Sequence, residues 1–283
     1  MTWSNRLYQG DNLDVLAALL PELGGQVDLV YIDPPYASGV DYGAFDDTWH
    51  GGIPDYLAML RPRLALIRDL LAPTGSLFVH VGWHVNAHVR LLLDDLFGPD
   101  RLIDEIIWHY QTSSGAPARA LIKNHATIFH YARSDAWVFN QIREPWPERT
   151  LRKWQRDADG RIYRVQNRFG KRYYIDPAGK RIDDVWEFTL ASRSHERTRY
   201  PTQKPEALLD RLIRMSSHEG DLVADFFCGS GTTLAAAQKA GRRWIGCDVG
   251  DLAIETTARR IDALGADPAF EVVLAAGNPS WPN

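Results

Sequence analysis

Between Leu222 and Asp248 the chain reads LVADFFCGSGTTLAAAQKAGRRWIGCD, and this stretch decides the fold. Leu222 to Phe227 has the pattern of a buried strand, and Gly229-Ser230-Gly231 makes a turn. Thr232 to Ala240 reads as a helix, and Trp244 to Cys247 as the next strand, ending at Asp248. Glycines at a strand-to-helix turn let the backbone approach a ligand without interference from Cβ, and the helix that follows presents unpaired amides. An acid at the end of the second strand can take both hydroxyls of a ribose. Asp248 lies 17 residues after Gly231, which fits that role. A dinucleotide site wants a third glycine three residues on, and the chain has Thr232-Thr233-Leu234 there instead. Two threonines suit hydrogen bonding to a carboxylate better than packing over a pyrophosphate. Gly-x-Gly alone is also a plain turn; the strand, helix and acid in order favour a ligand site.

Upstream, Val27 to Ile32 (VDLVYI) is a continuous run of the kind expected of a strand covered on both faces, and it stops at Asp33-Pro34-Pro35-Tyr36. Two prolines forbid further strand or helix and place rigid backbone at the carboxyl edge of a sheet, where ligands bind in open α/β folds. This cluster suits methyl transfer to an exocyclic base amine. Such an amine is a poor nucleophile while its lone pair is delocalised into the ring. The Asp33 carboxylate and a carbonyl of the Pro34-Pro35 segment can accept its two N–H groups and pull it toward tetrahedral geometry. Tyr36 offers a flat face to a base taken out of its stack. Attack on a sulfonium methyl needs alignment and exclusion of water but no metal. The plainer reading is a strand-ending turn with a capping Asp.

The first 130 residues alternate strand and helix. Helices are expected at 55–71 and 84–97, a turn at 72–75, strands at 76–81, 103–108 and 127–131, and a long mobile loop at 37–54. From 133 to 200 the pattern changes. Asp157-Ala158-Asp159-Gly160-Arg161 and Asp176-Pro177-Ala178-Gly179-Lys180 are two similar turn signals beside short β-prone runs, with aromatic and basic residues interleaved. From Pro205 the α/β pattern returns, with a final strand at 270–275. We read 1–132 and 201–283 as two halves of one α/β domain and 133–200 as an insertion.

The chain has 283 residues, 45% of them hydrophobic, and a net charge of −4, which argues against global disorder. The charge is uneven. Residues 105–204 hold 19 Lys/Arg against 11 Asp/Glu, and the remainder 13 against 25, the signature of a basic insert on an acidic scaffold. Lys123, Arg152, Arg164, Lys171 and Arg172 are the candidates for phosphate contact there. No apolar run approaches the ~20 residues of a bilayer span, and no secretion signal is read. Cys228 and Cys247 are too few for a disulfide framework and fit a reducing compartment; a cytoplasmic protein is expected. His80, His84 and His88 cluster, but Val85 and Asn86 stand where a zinc-hydrolase motif needs Glu, so no metal is expected.

Asp33-Pro34-Pro35-Tyr36 together with Asp225 to Thr233 (DFFCGSGTT) resembles the S-adenosylmethionine-dependent DNA amino-methyltransferases. The order, with catalytic tetrapeptide first and glycine loop last, is that of their β subgroup. Gly10-Asp11-Asn12, the run Tyr200 to Pro205 (YPTQKP) and Trp244 to Asp248 (WIGCD) match as well. Where Phe226 stands the family often has Pro. The resemblance implies a Rossmann-like methyltransferase sheet in circularly permuted order with an inserted target-recognition region. It implies that Asp33, Pro34 and Pro35 orient the amine while Tyr36 stacks on the base. Phe227, Cys228, Gly229, Ser230 and Gly231 would wrap the methionine part of S-adenosylmethionine, and Thr232 and Thr233 would bind its carboxylate. Asp225 would lie near its amino group, Asp248 on the ribose, Asp11 and Asn12 at the adenine edge, and Lys204 near the cofactor entrance. Asp as the first residue of the tetrapeptide resembles the adenine N6 enzymes; Ser is commoner in the cytosine N4 enzymes. The expected partner is double-stranded DNA, with a second copy of the chain and a cognate restriction endonuclease as further candidates. Rival readings are a cytosine N4 enzyme, methylation of RNA or a protein amide, an NAD-dependent oxidoreductase, and a DNA-binding module without catalysis.

Overall fold

The computed structural model describes residues 3–45, 47–110, 119–166, 169–189, 195–265 and 269–275. In chain order, the elements begin with β1 (Asn5–Gln9), α1 (Asn12–Leu23), β2 (Val27–Ile32), α2 (Gly52–Leu70), β3 (Leu71–Val81), α3 (Asn86–Phe97), β4 (Leu102–His109) and β5 (His125–Ala132). A middle group follows: β6 (Arg143–Glu144), α4 (Glu148–Lys153), β7 (Gln155–Arg156), β8 (Ile162–Gln166), β9 (Lys171–Tyr174) and β10 (Lys180–Arg181). The chain then forms β11 (Val185–Glu187), α5 (Glu206–Ser216), β12 (Leu222–Asp225), α6 (Thr232–Lys239), β13 (Arg243–Asp248), α7 (Asp251–Asp262) and β14 (Phe270–Leu274). Among the described residues, no helix is long and apolar enough to cross a membrane.

One sheet of nine strands runs β11-β4-β5-β3-β2-β12-β13-β1-β14. Every neighbouring pair in it is parallel except those made by β5, which runs against both β3 and β4. Parallel strands need crossover helices, and these cover the faces. α1 packs on α2 and α2 on α3, while α5 packs on α6 and α6 on α7. The alternation of a strand then sorts the side chains. Val30, Ile32, Leu77 and Val79 share a core with Leu16, Leu64, Ile67 and Leu93 from the helices. Leu29, Tyr31, Phe78 and His80 point to the opposite face and are equally buried.

One reading of local sequence changes. The turn expected at 72–75 is instead the start of β3, which runs unbroken from Leu71; the exposed Pro73 and Thr74 sit where the β2–β3 register shifts. Pro62 lies inside α2, which is continuous over its 19 residues.

Residues 141–183 form a compact unit of their own. β6 pairs with β10, and β7, β8 and β9 make an antiparallel meander. Both turn signals close on their aspartates: Asp157 Oδ1 accepts the amides of Asp159 and Arg161, and Asp176 Oδ1 that of Ala178. The unit is narrower than the insertion read from composition. Asn140 is tied to the Met215 carbonyl, and β11 joins the large sheet beside β4.

A buried polar node holds β1 in place. Asn5, fully buried, accepts the backbone N–H of Trp244 and the Trp3 indole N–H through Oδ1, both at 2.9 Å, and donates to Gln238 at 3.0 Å. Substituting Asn5→Ala strands the buried Trp244 amide, while Gln238 keeps the Trp244 indole N–H at 2.7 Å. An unsatisfied buried group costs about 1–3 kcal/mol, so urea unfolding is expected to show a loss of that size, with the folded spectrum unchanged.

Candidate functional site

The carboxyl ends of β1, β2, β12 and β13 open into one cavity of about 790 Å³. Parallel register brings them there. Leu29 pairs with Val223 and Val30 with Ala224, so Asp33 and Phe227 each stand three residues beyond a matched pair. Asp225 pairs with Gly246, and Gln9 with Asp248. Of the residues singled out in sequence, 33–36, Asp11, Asn12, Lys204, Asp225, 227–230, Thr232, Thr233 and Asp248 line this cavity. Gly231 stands behind the wall, where an added Cβ would fall 2.7 Å from Thr257.

The glycine turn is shaped by positive φ at Gly229 (+49°) and Gly231 (+69°), a region costly to residues with a Cβ. Asp248 fastens it: Oδ2 accepts the Gly229 amide and Oδ1 that of Gly250, both at 2.9 Å. Asp225 accepts the Phe227 amide at 3.0 Å and the Thr233 hydroxyl at 2.5 Å. The Thr233 proton therefore points at Asp225. The Thr232 hydroxyl accepts from Arg260 at 2.9 Å. Burial pushes the Asp225 carboxyl up to about 7; its two hydrogen bonds oppose this, and the charges of Asp33 and Asp248 add to it. Burial also raises Asp248, against the pull of its backbone amides.

Across the cavity, Asp33 Oδ1 accepts the Tyr36 hydroxyl at 2.8 Å, and Oδ2 accepts the Lys204 ammonium. Lys204 thus reaches the tetrapeptide itself. Gly82 makes room for Tyr36, since a Cβ there would lie 2.7 Å from the ring. Behind Asp33, the fully buried His80 bonds the Tyr31 hydroxyl through Nδ1 at 2.7 Å. Burial pushes His80 down to about 3, with Asp33 opposing the shift and Lys204 reinforcing it, so the imidazole is neutral. The 37–54 segment, expected to be a mobile loop, is pinned by the buried Asp47, which accepts the amides of Ala37 and Ser38 at 2.7 and 2.9 Å.

Asp11 caps α1 through the Leu13 amide and pairs with Arg63, which also donates to Asn12. Lys123 lines the cavity, 5.3 Å from the Trp83 ring. Arg152, Arg164, Lys171 and Arg172 belong instead to the compact unit 141–183. There Arg164 lies over Trp154 and Tyr173, Lys171 over Tyr173, and Arg172 over Tyr163. Sequence reasoning missed Tyr31, Arg63 and Arg260, and weighed His80 as a metal ligand against a surface or packing role. The fold places His80 one step past the Ile32–Val79 pair, opposite Asp33. Arg63 and Arg260 carry no local signal, because they reach the site from the middle of α2 and the last turn of α7.

Comparison with known proteins identifies the architecture. A family model described as DNA methylase matches residues 27–259. The chain is 28% identical to the type II methyltransferase M.EcaI of Enterobacter cloacae, over 97% of this chain and 73% of that one. It is 30% identical to M.HpaI of Haemophilus parainfluenzae, over 84% and 68%. Among solved structures, the cytosine-N4-specific PvuII DNA methyltransferase aligns with a TM-score of 0.64 at 18% identity, covering 92% of this chain and 87% of that one. M1.HpyAVI in complex with SAM aligns at 0.61 and 18% identity, covering 91% and 98%. The fold is the Rossmann-like sheet of S-adenosylmethionine-dependent methyltransferases, with the Asp-Pro-Pro-Tyr strand ahead of the glycine turn in the chain. With a family model spanning most of its length and relatives covering nearly all of it, this chain belongs to the DNA methylases of the N6/N4 family.

Proposed function

We propose that this chain is a site-specific DNA methyltransferase that transfers the methyl group of S-adenosylmethionine to N6 of an adenine flipped out of duplex DNA. One observation carries the reading: the Asp33 carboxylate, the Tyr36 ring and the Gly229 turn all face one cavity.

The character of that cavity supports a cationic cofactor. Asp225, buried, and Asp248, half-buried, stand in its wall and are held by N–H and O–H groups rather than by a cation. A sulfonium and an α-ammonium suit such a wall. A dinucleotide would add the two negative charges of its pyrophosphate to it, which disfavours the oxidoreductase reading. The Gly229–Thr233 backbone would hold the methionine part, Asp225 its ammonium, and Asp248 the ribose. Because the Thr233 hydroxyl points at Asp225 and the Thr232 hydroxyl at the Lys204 carbonyl, a carboxylate would meet the backbone amides at the start of α6. S-adenosylmethionine supplies a methyl already activated by its sulfonium.

Asp33 and a carbonyl of Pro34-Pro35 accept the two N–H groups of the target amine and free its lone pair for attack in line with the departing sulfur. The new N–C bond leaves the nitrogen with one proton too many, and the Asp33 carboxylate is the acceptor beside it. Tyr36 holds the base by its face. Unit 141–183, with 12 Lys/Arg against 6 Asp/Glu, supplies phosphate contacts through Arg152, Arg164, Lys171 and Arg172, and Lys123 adds one at the cavity. Flipping costs a few kcal/mol, which these contacts offset. Asp as the first residue of the tetrapeptide favours adenine; the likeness to a cytosine-N4-specific fold keeps cytosine as the second reading.

Three outcomes follow. Wild-type protein incubated with labelled cofactor and genomic DNA should yield N6-methyladenine on nucleoside analysis, and Asp33→Ala should lower kcat on the order of 10²–10³-fold; N4-methylcytosine would establish the second reading. Gly82→Ala should push Tyr36 from its place and cut kcat about tenfold or more, while cofactor binding measured by calorimetry is kept. Asp225 titrates near 7, and a bound cation favours its ionised form. Cofactor binding should therefore tighten about 5- to 10-fold from pH 6 to 8, with proton release visible in buffers of different ionisation heat. Asp225→Asn should flatten that profile.

A further inference from the structure

Asp33 is the group the proposed reaction needs as an acceptor, and both of its oxygens are already engaged. The Tyr36 hydroxyl donates to Oδ1, and the Lys204 ammonium to Oδ2. The same ammonium donates to the Thr202 carbonyl at 3.2 Å and lies 5.5 Å from the centroid of the Tyr36 ring. An N–H donor resting on Asp33 against Tyr36 is where the exocyclic amine of a base stacked on that ring must come. Two nitrogens cannot share that position.

We infer that Lys204 is a built-in stand-in for the target amine: it fills the base subsite while the cavity is empty of DNA and gives way only to a base that brings its own N–H groups to Asp33. This rests on the reading of Asp33 as the amine acceptor. The physical need is clear. The Asp33 side chain is 17% exposed and shares its cavity with the buried Asp225 and the half-buried Asp248, so an unpaired carboxylate there would be costly. The pair with Lys204, itself 11% exposed, removes that cost until the amine takes over. Lysine suits the task, because its single charge on a flexible four-carbon stem can swing aside where an arginine fork would grip both oxygens. Its backbone is held meanwhile. Pro205 follows at the start of α5, Thr202 is fixed at φ +62°, and the Thr232 hydroxyl lies 3.3 Å from the Lys204 carbonyl. Movement is thereby confined to the side chain. A base without an exocyclic amine in the right place offers Asp33 nothing in exchange, so Lys204 also sets specificity.

The test uses a duplex carrying the recognition site found by modified-base sequencing, with wild type, Lys204→Met and Lys204→Gln. Binding is followed by the fluorescence of 2-aminopurine placed at the target position, which lacks the 6-amine, with S-adenosylhomocysteine present. Lys204→Met should give at least threefold brighter 2-aminopurine and at least threefold lower KM for normal duplex. Lys204→Gln, which returns a neutral donor, should fall between it and wild type. A tenfold drop in kcat with KM and fluorescence unchanged would make Lys204 a fixed partner of Asp33 and overturn the inference. Weaker cofactor binding as the sole effect would overturn it equally. Wild-type protein that methylates no DNA would instead remove the functional reading beneath it.

Discussion

The site depends on one pairing, that of β2 with β12. Segments about 190 residues apart in sequence lie side by side, with Leu29 opposite Val223 and Val30 opposite Ala224. A slip of one residue would turn every side chain to the wrong face and carry Asp33 out of level with the glycine turn. The register has its own pin: Asp28 Oδ2 accepts the Leu222 amide at 2.8 Å at the foot of the pair. That bond explains a charged residue in an otherwise apolar strand. It holds although burial raises the Asp28 carboxyl, the Leu222 amide opposing that shift. From the pin the strand ends follow in order, with Pro34 after β2, Phe227 after β12, Asp248 ending β13 and Asp11 just past β1.

The acids of the cavity that the sequence singled out divide into two kinds. Asp33 and Asp11 are matched by cations, Lys204 and Arg63. Asp225 and Asp248 are matched by amides and a hydroxyl, groups that satisfy their lone pairs without cancelling their charge. The second pair surrounds the glycine turn, and the first faces the tetrapeptide and the foot of α1. Burial makes those neutral partners matter, because a desolvated carboxylate without them would sit protonated far above the usual range. The result is a cavity whose turn side draws positive charge, while Asp33 and Asp11 are already balanced.

What could be read from sequence was whatever is tied to the end of one element. The Asp33 tetrapeptide, the Gly229 turn and Asp248 each follow an apolar run directly, so strand pattern and site residue come together. The partner of Lys204 could not be read in that way. Its backbone lies beside the glycine turn, which suggested the cofactor, but a four-carbon stem spans the cavity to Asp33. Arg63 in the middle of α2 and Arg260 in the last turn of α7 sit where only packing decides what they touch. Local turn chemistry also misled at 72–75, since Pro and Gly there accommodate an irregular strand start rather than ending one. The insertion read over 133–200 includes Val185–Glu187, which pairs with β4 in the large sheet.

The compact unit 141–183 follows a different logic. A three-stranded sheet ordinarily buries one apolar face, and the alternation of β8 and β9 provides only a small one. One face carries Ile162, Arg164, Lys171 and Tyr173, the other Tyr163, Val165, Arg172 and Tyr174, and of these Tyr163 is buried. Each face is laced by cations over rings: Arg164 and Lys171 over Tyr173 on the first, Arg172 over Tyr163 on the second. Such contacts are worth about 0.5–1 kcal/mol each when exposed, enough to order the side chains but not to replace a core. Lys171 to Tyr174 remain exposed throughout. A sheet with so small an apolar face keeps pre-ordered cations and the Tyr173 and Tyr174 rings in solvent. Cations and flat rings are the groups that meet phosphates and unstacked bases. The phosphate contacts proposed for Arg164, Lys171 and Arg172 draw on that exposure.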